Sequence, residues 1–132
     1  MTQELELHFN QALANLGLMD WHATIQSSKQ LKDTRVKAEL TITLFHNGVE
    51  RSLESLSGGE RQRIRIASAV GVSDLIKDRL GVDWALQMWD EPSLGLSEEG
   101  ISSMLEFFEG LSQSQQIIIA DHRILDRNCF GT

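Results

Sequence analysis

Apolar residues change their spacing several times along the chain, and each change predicts an element. Between residues 4 and 18, Leu5, Phe9, Leu13 and Leu16 recur at helical intervals. This predicts an amphipathic helix that ends near Gly17 and lies on an apolar surface. From Arg35 to Phe45, Val36, Ala38, Leu40, Ile42 and Leu44 alternate with polar neighbours, the mark of a half-buried strand. Asn47-Gly48 then supplies a left-handed turn, so residues 49–53 are the returning arm of a hairpin. Residues 60–70 read as a helix burying Ile64, Ile66, Ala67 and Val70, and residues 73–80 as a second helix capped by Ser73 and stopped at Gly81.

Residues 84–89 and 116–120 are short apolar runs, as expected for strands in a sheet covered on both faces. Between them, residues 97–111 read as a helix with Ser97 as cap and Glu98 and Glu99 in the first turn, where the helix dipole favours negative charge. Strand, helix, strand implies a right-handed parallel crossover. The expected fold class is therefore α/β: short parallel strands with flanking helices, preceded by an N-terminal helix and a β-hairpin, in one domain over residues 1–132.

Composition narrows the possible functions. The 132 residues are 41% apolar and 23% charged, values of an ordinary globular domain. No apolar window is long enough to span a bilayer, and the first residues lack a secretory layout, so a cytoplasmic setting without membrane attachment is expected. A single cysteine, Cys129, cannot form an internal disulfide, and the four histidines have no zinc spacing. The net charge of −7 argues against direct electrostatic binding of DNA by this chain. Arg61, Arg63 and Arg65 cluster locally, but alternate residues on a helix point in different directions, which favours a solvated face.

Three polar clusters punctuate this pattern. In "LSGGERQR", Ser57, Gly58, Gly59 and Glu60 open a helix, where unpaired amides at the positive end of the dipole can receive a phosphate; the alternative is a plain helix cap. In "LQMWDEP", Asp90 and Glu91 end a strand stopped by the only proline, Pro92, at the edge where parallel α/β sheets bind ligands. One acid can hold Mg²⁺ while the other activates water, or both can be solvated turn residues. In "IIIADHR", His122 follows another strand and can reach the same edge, or is an ordinary loop residue.

Taken in this order, the three clusters resemble the signature motif, the Walker B motif with its catalytic glutamate, and the switch histidine of ABC-type ATPases. The resemblance covers roughly residues 53–123 and is nearest the SbcC-like and SMC-like branch, given Glu60 after the glycines and the long interval from Gly59 to Asp90. It implies that Ser57, Gly58 and Gly59 contact the γ-phosphate of ATP held by an opposing subunit, with Glu60 counted in the same ATP-binding motif. It further implies that Asp90 serves Mg²⁺, that Glu91 activates water and that His122 senses the γ-phosphate.

Two departures matter. Ser97 stands where the family's D-loop has aspartate, and nothing matches G-x-x-x-x-G-K-[ST]. The resemblance therefore implies a C-terminal lobe, with the first helix where a coiled-coil arm returns. Such a lobe hydrolyses ATP only after joining an N-terminal Walker A lobe and then pairing with a second head. A metallonuclease subunit and DNA would be reached through the complex. The alternatives are a non-catalytic regulatory module and a fragment of a transporter's nucleotide-binding domain.

Overall fold

In a computed structural model, which describes residues 1–32 and 35–123, the first predicted helix runs Thr2–Asn15 (α1) and buries Phe9, Ala12 and Leu13. Cys129 lies outside the described residues. Gly17 takes φ 79 directly after α1, which reverses the chain where the sequence placed the helix end. Next comes a strand that the sequence pattern did not predict, Trp21–Lys32 (β1). It pairs antiparallel with Arg35–His46 (β2), Ile25 facing Ile42. Trp21, Ala23 and Ile25 are buried in alternation, whereas Gln26, Ser27 and Ser28 are exposed, so the strand period runs for only five residues before polar side chains obscure it.

The edge of β1 is closed by α1. Asn10 donates from Nδ2 to the Ala23 carbonyl and accepts from the Ala23 amide, both at 2.8 Å, as a neighbouring strand would. The Ile25 amide donates to Glu6 Oε2 at 2.8 Å. These bonds satisfy backbone groups that would otherwise form an open sheet edge. The short strand Val49–Arg51 (β3) completes the sheet in the order β1-β2-β3. Asn47 at φ 50 and Gly48 at φ 77 make the predicted turn between β2 and β3.

The two helices expected over 60–70 and 73–80 are one, Gly58–Leu80 (α2), so Ser73 is an interior residue and not a cap. Gly71 does not break the helix. It marks the crossing of α1, since a Cβ there would stand 3.0 Å from both the nitrogen and the Cα of Phe9. The helix stops where predicted, with Gly81 at φ 61 donating its amide to the Lys77 carbonyl at 2.8 Å. A 2.9 Å hydrogen bond between His8 and Asp78 and an ion pair of Glu4 with Arg79 tie α1 to the C-terminal end of α2.

Leu86–Asp90 (β4), Glu98–Ser112 (α3) and Gln116–Ala120 (β5) form the parallel crossover unit, with Asp90 in register with Ala120. Ile101, Met104, Leu105, Phe107 and Phe108 form the buried face of α3, and Trp89 packs against Phe108 with the rings tilted by 53° and their centroids 5.0 Å apart. The expectation of a sheet covered on both faces is not met. Leu86, Met88 and Ile118 are 44%, 74% and 43% exposed, so β4 and β5 are packed on one side only. Among the described residues no helix is long and apolar enough to cross a membrane.

The α1–α2 crossing gives a stability test. Alanine normally gains roughly 1 kcal/mol over glycine inside a helix. At position 71 the added methyl meets main-chain atoms that cannot rotate away, and overpacking costs about 1–3 kcal/mol. Gly71→Ala is therefore expected to lower the urea midpoint, whereas a rise would show that α1 does not press on α2.

Candidate functional site

Glycine at the mouth of α2 is explained by what lies against it. Ser57 caps the helix: its Oγ accepts from the Glu60 amide at 3.2 Å, and Glu60 Oε2 accepts from the Ser57 amide at 2.9 Å. This reciprocal box fixes the helix start and turns the Glu60 carboxylate back onto its own backbone. It leaves the amides of Gly58 and Gly59 as the unengaged donors at the positive end of the helix. Across from them runs the loop that leaves β4. A Cβ on Gly59 would stand 3.3 Å from the Gly95 carbonyl oxygen, and one on Gly95, at φ +75, would stand 3.5 Å from Gly58 main-chain atoms. Main chain therefore touches main chain here, and Gln62 Nε2 adds a bond to the Pro92 carbonyl at 3.1 Å.

Asp90 and Glu91 emerge at the carboxyl end of β4 as the sequence placed them. The Asp90 side chain is exposed and has no hydrogen-bond or ion-pair partner among the described residues. Glu91 takes φ 48, although a residue before proline normally stays extended. A left-handed conformation costs a non-glycine residue roughly 1–2 kcal/mol. The Glu91 amide donates to the Ala120 carbonyl at 2.7 Å, which extends the β4–β5 pairing into the turn and holds that conformation.

His122 arrives from β5, and its Nδ1 lies 2.8 Å from Glu91 Oε2, so the two strand tips are joined by a side-chain bond. Both groups remain open to solvent, the histidine at 69% and the glutamate at 41%. One oxygen of Glu91 is thereby engaged, and the other has no partner among the described residues. No bond links Ser57 to Asp90 or Glu91 among the described residues; the loop 92–96 joins the two regions, and further along α2 Ala69, Val70 and Ser73 line a cavity with Gln87, Met88 and Trp89 of β4.

The structure adds residues to which the sequence patterns assigned no role. Asp121 is buried, with its Oδ2 accepting from the Ser93 amide at 2.8 Å and its Oδ1 from Ser93 Oγ at 2.7 Å and the Arg123 amide at 2.9 Å. Burial alone would raise its carboxyl, but the donors on Ser93 and Arg123, with His122 beside them, hold it below the ordinary range. Arg123 Nη1 donates to the carbonyls of Ser93 and Leu96, at 2.9 and 2.8 Å. Ser97, in the position of the missing aspartate, caps α3 by accepting from the Gly100 amide at 3.1 Å. Asp121 and Arg123 are single charges after a strand, with no periodicity to flag them. Glu91, Asp121 and His122 also bring one possible ligand atom each within 4.8 Å of one another.

No protein-family model matches the chain. A DNA double-strand break repair Rad50 ATPase from Thermoplasma acidophilum is 35% identical over 98 residues, covering 70% of this chain and 10% of the relative. UvrABC system protein A from Vibrio vulnificus is 30% identical over 128 residues, covering 92% of this chain and 13% of the relative. Among solved structures, an SMC ATPase studied for ATP-driven dimerisation and DNA-stimulated activation matches with a TM-score of 0.67 at 15% identity, over 97% of this chain and 70% of that one. The Smc head domain with coiled coil and joint from Pyrococcus yayanosii matches with a TM-score of 0.65 at 16% identity, over 90% of this chain and 22% of that one.

The chain belongs with the C-terminal lobes of SbcC/SMC-type ABC ATPase heads. The lobe spans about a tenth of the length of the curated relatives it matches. Its parallel unit, hairpin and leading helix fall within the head fold shared by the SMC structures.

Asp121 gives this lobe a pH signature. Its carboxyl is depressed in the folded chain, so its stabilisation is present above the unfolded value of about 3.9 and is lost as pH falls through the lower folded value. At neutral pH, Asp121→Asn is expected to cost roughly 1–2 kcal/mol in urea unfolding. The gap between the variant and the parent should close below about pH 4. A gap that persists unchanged into acid would mean that the charge contributes nothing.

Proposed function

We propose that this lobe is half of an ATP-hydrolysing machine, with the signature motif at Ser57–Glu60, Walker B ending at Asp90 and Glu91, and the switch histidine at His122. The observation that carries the reading is the 2.8 Å bond between His122 and Glu91 at the tips of adjacent parallel strands, beside an unengaged Asp90. Asp90 offers hard carboxylate oxygens free of protein partners, the donor chemistry that suits Mg²⁺. Asp90 would hold the ion, whose charge would neutralise phosphate oxygens. Glu91 takes the proton of the attacking water on the oxygen that His122 leaves free, while Nδ1–H of His122 holds the other oxygen and fixes the carboxylate's direction. The amides of Gly58 and Gly59 receive phosphate oxygens from a nucleotide held by a second head.

A lobe without the phosphate-cradling lysine needs a Walker A partner. The uncovered face of β4 and β5, with Leu86, Met88 and Ile118, is an apolar surface of the kind such a partner would bury. The service to DNA repair, with a metallonuclease partner in the complex, rests on the likeness to a Rad50 ATPase named for double-strand break repair.

Mixing this chain with a Walker A-bearing lobe and following phosphate release tests the reading. Hydrolysis is expected only in the mixture, and Glu91→Gln should lower kcat by about 10²–10⁴-fold while nucleotide-bound dimers accumulate. Equal rates with Glu91→Gln would remove Glu91 from the chemistry.

A further inference from the structure

Nothing in the chemistry above uses Arg123. Its side chain is half-buried and spends both hydrogens of Nη1 on the carbonyls of Ser93 and Leu96, which bracket the tightest part of the loop after β4. That loop is already closed by the Leu94 amide on the Glu91 carbonyl at 3.1 Å and the Leu96 amide on the Ser93 carbonyl at 3.0 Å. At its crest Gly95 lies on Gly58, and its first carbonyl, that of Pro92, accepts from Gln62 of α2. The loop therefore touches the acidic strand tip at one end and the amide cup of α2 at its crest.

We infer that Arg123 is a positioning residue: by pinning the Ser93 and Leu96 carbonyls it makes the loop 92–96 a rigid bridge, so that the Gly58 and Gly59 amides and the Glu91 carboxylate are held in one fixed relation. Its role in a nucleotide reaction rests on the function proposed above. Three features support it. Ser97, where the resemblance leads one to expect an aspartate, is used up as the cap of α3 and gives the loop no carboxylate of its own. Asp121 orders only the start of the loop, through the amide and hydroxyl of Ser93, so Arg123 provides the side-chain support for Leu96. The Arg123 amide bonds Asp121 through the backbone, so removing the Arg123 side chain leaves that anchor in place.

Hydrogen exchange on the chain alone separates bridging from bulk stability. In Arg123→Ala, the Leu94 and Leu96 amides should exchange faster, and so should the Glu60 and Arg61 amides, which bond to Ser57 and do not touch Arg123. Arg123 Nη2 also lies 4.0 Å from Glu98 Oε1 in the first turn of α3, so the later turns of that helix serve as the control. A rise of about tenfold at residues 60 and 61 with those turns unchanged is the expected result for local loosening. Arg123→Lys, whose single nitrogen carries three donors, should restore part of the protection. No change at residues 60 and 61, or an equal rise throughout α3, overturns the proposal. In the mixture with a Walker A lobe, Arg123→Ala should lower kcat about tenfold with KM for ATP unchanged, as expected for lost alignment. If exchange behaves as expected but the parent chain hydrolyses nothing in the mixture, the bridge stands and the nucleotide reading falls.

Discussion

The polar half of this lobe depends on a contact made without side chains. Gly95 rests on Gly58 and Gly59: a side chain on Gly59 would press on the Gly95 carbonyl at 3.3 Å, and Gly95 at φ +75 takes a conformation that side chains rarely adopt. The start of a 23-residue helix is thereby located against the turn that ends β4. Without that approach the start of α2 would lose its outside support, and the amides that the capping box leaves over would have no defined relation to Asp90 and Glu91. The stability that glycine forgoes in a helix is exchanged here for position.

Around this contact two of the three buried polar side chains among the described residues, Ser93 and Asp121, hold the turn after β4. Glu91 is held in a left-handed conformation by the Ala120 carbonyl, and Asp121 binds Ser93 twice. A strained residue persists only where neighbours over-determine it, and such residues gather at functional sites. The strain at Glu91 aims its carboxylate at His122, and the nearby hydrogen bonds keep the turn from relaxing.

Much of the fold could be read from the sequence because its signals are local. The Asn47-Gly48 turn, the stop at Gly81 and the Ser97 cap lie where their chemistry required. The misread parts depend on distant partners. Gly71 and Ser73 suggested a break in α2, yet Gly71 answers to Phe9 of α1. β1 was missed because, among its described side chains, only Trp21, Ala23 and Ile25 are buried. The apolar runs of β4 and β5 suggested a sheet covered twice, but among the described residues Leu86, Met88 and Ile118 stay exposed. Of the candidate site, the strand tips and the amide cup were legible as motifs. The 2.8 Å pairing of Glu91 with His122 and the clamp by Arg123 were not, since neither leaves a periodic trace.

Under the proposed function, the amide cup of Gly58 and Gly59 and the acidic tip of Asp90 and Glu91 would each handle nucleotide, and neither would suffice alone. Titration of labelled Mg-ATP into the isolated chain, followed by anisotropy, tests this most directly. The account predicts no saturable binding until a Walker A-bearing lobe is added. Saturable binding by the chain alone would contradict it.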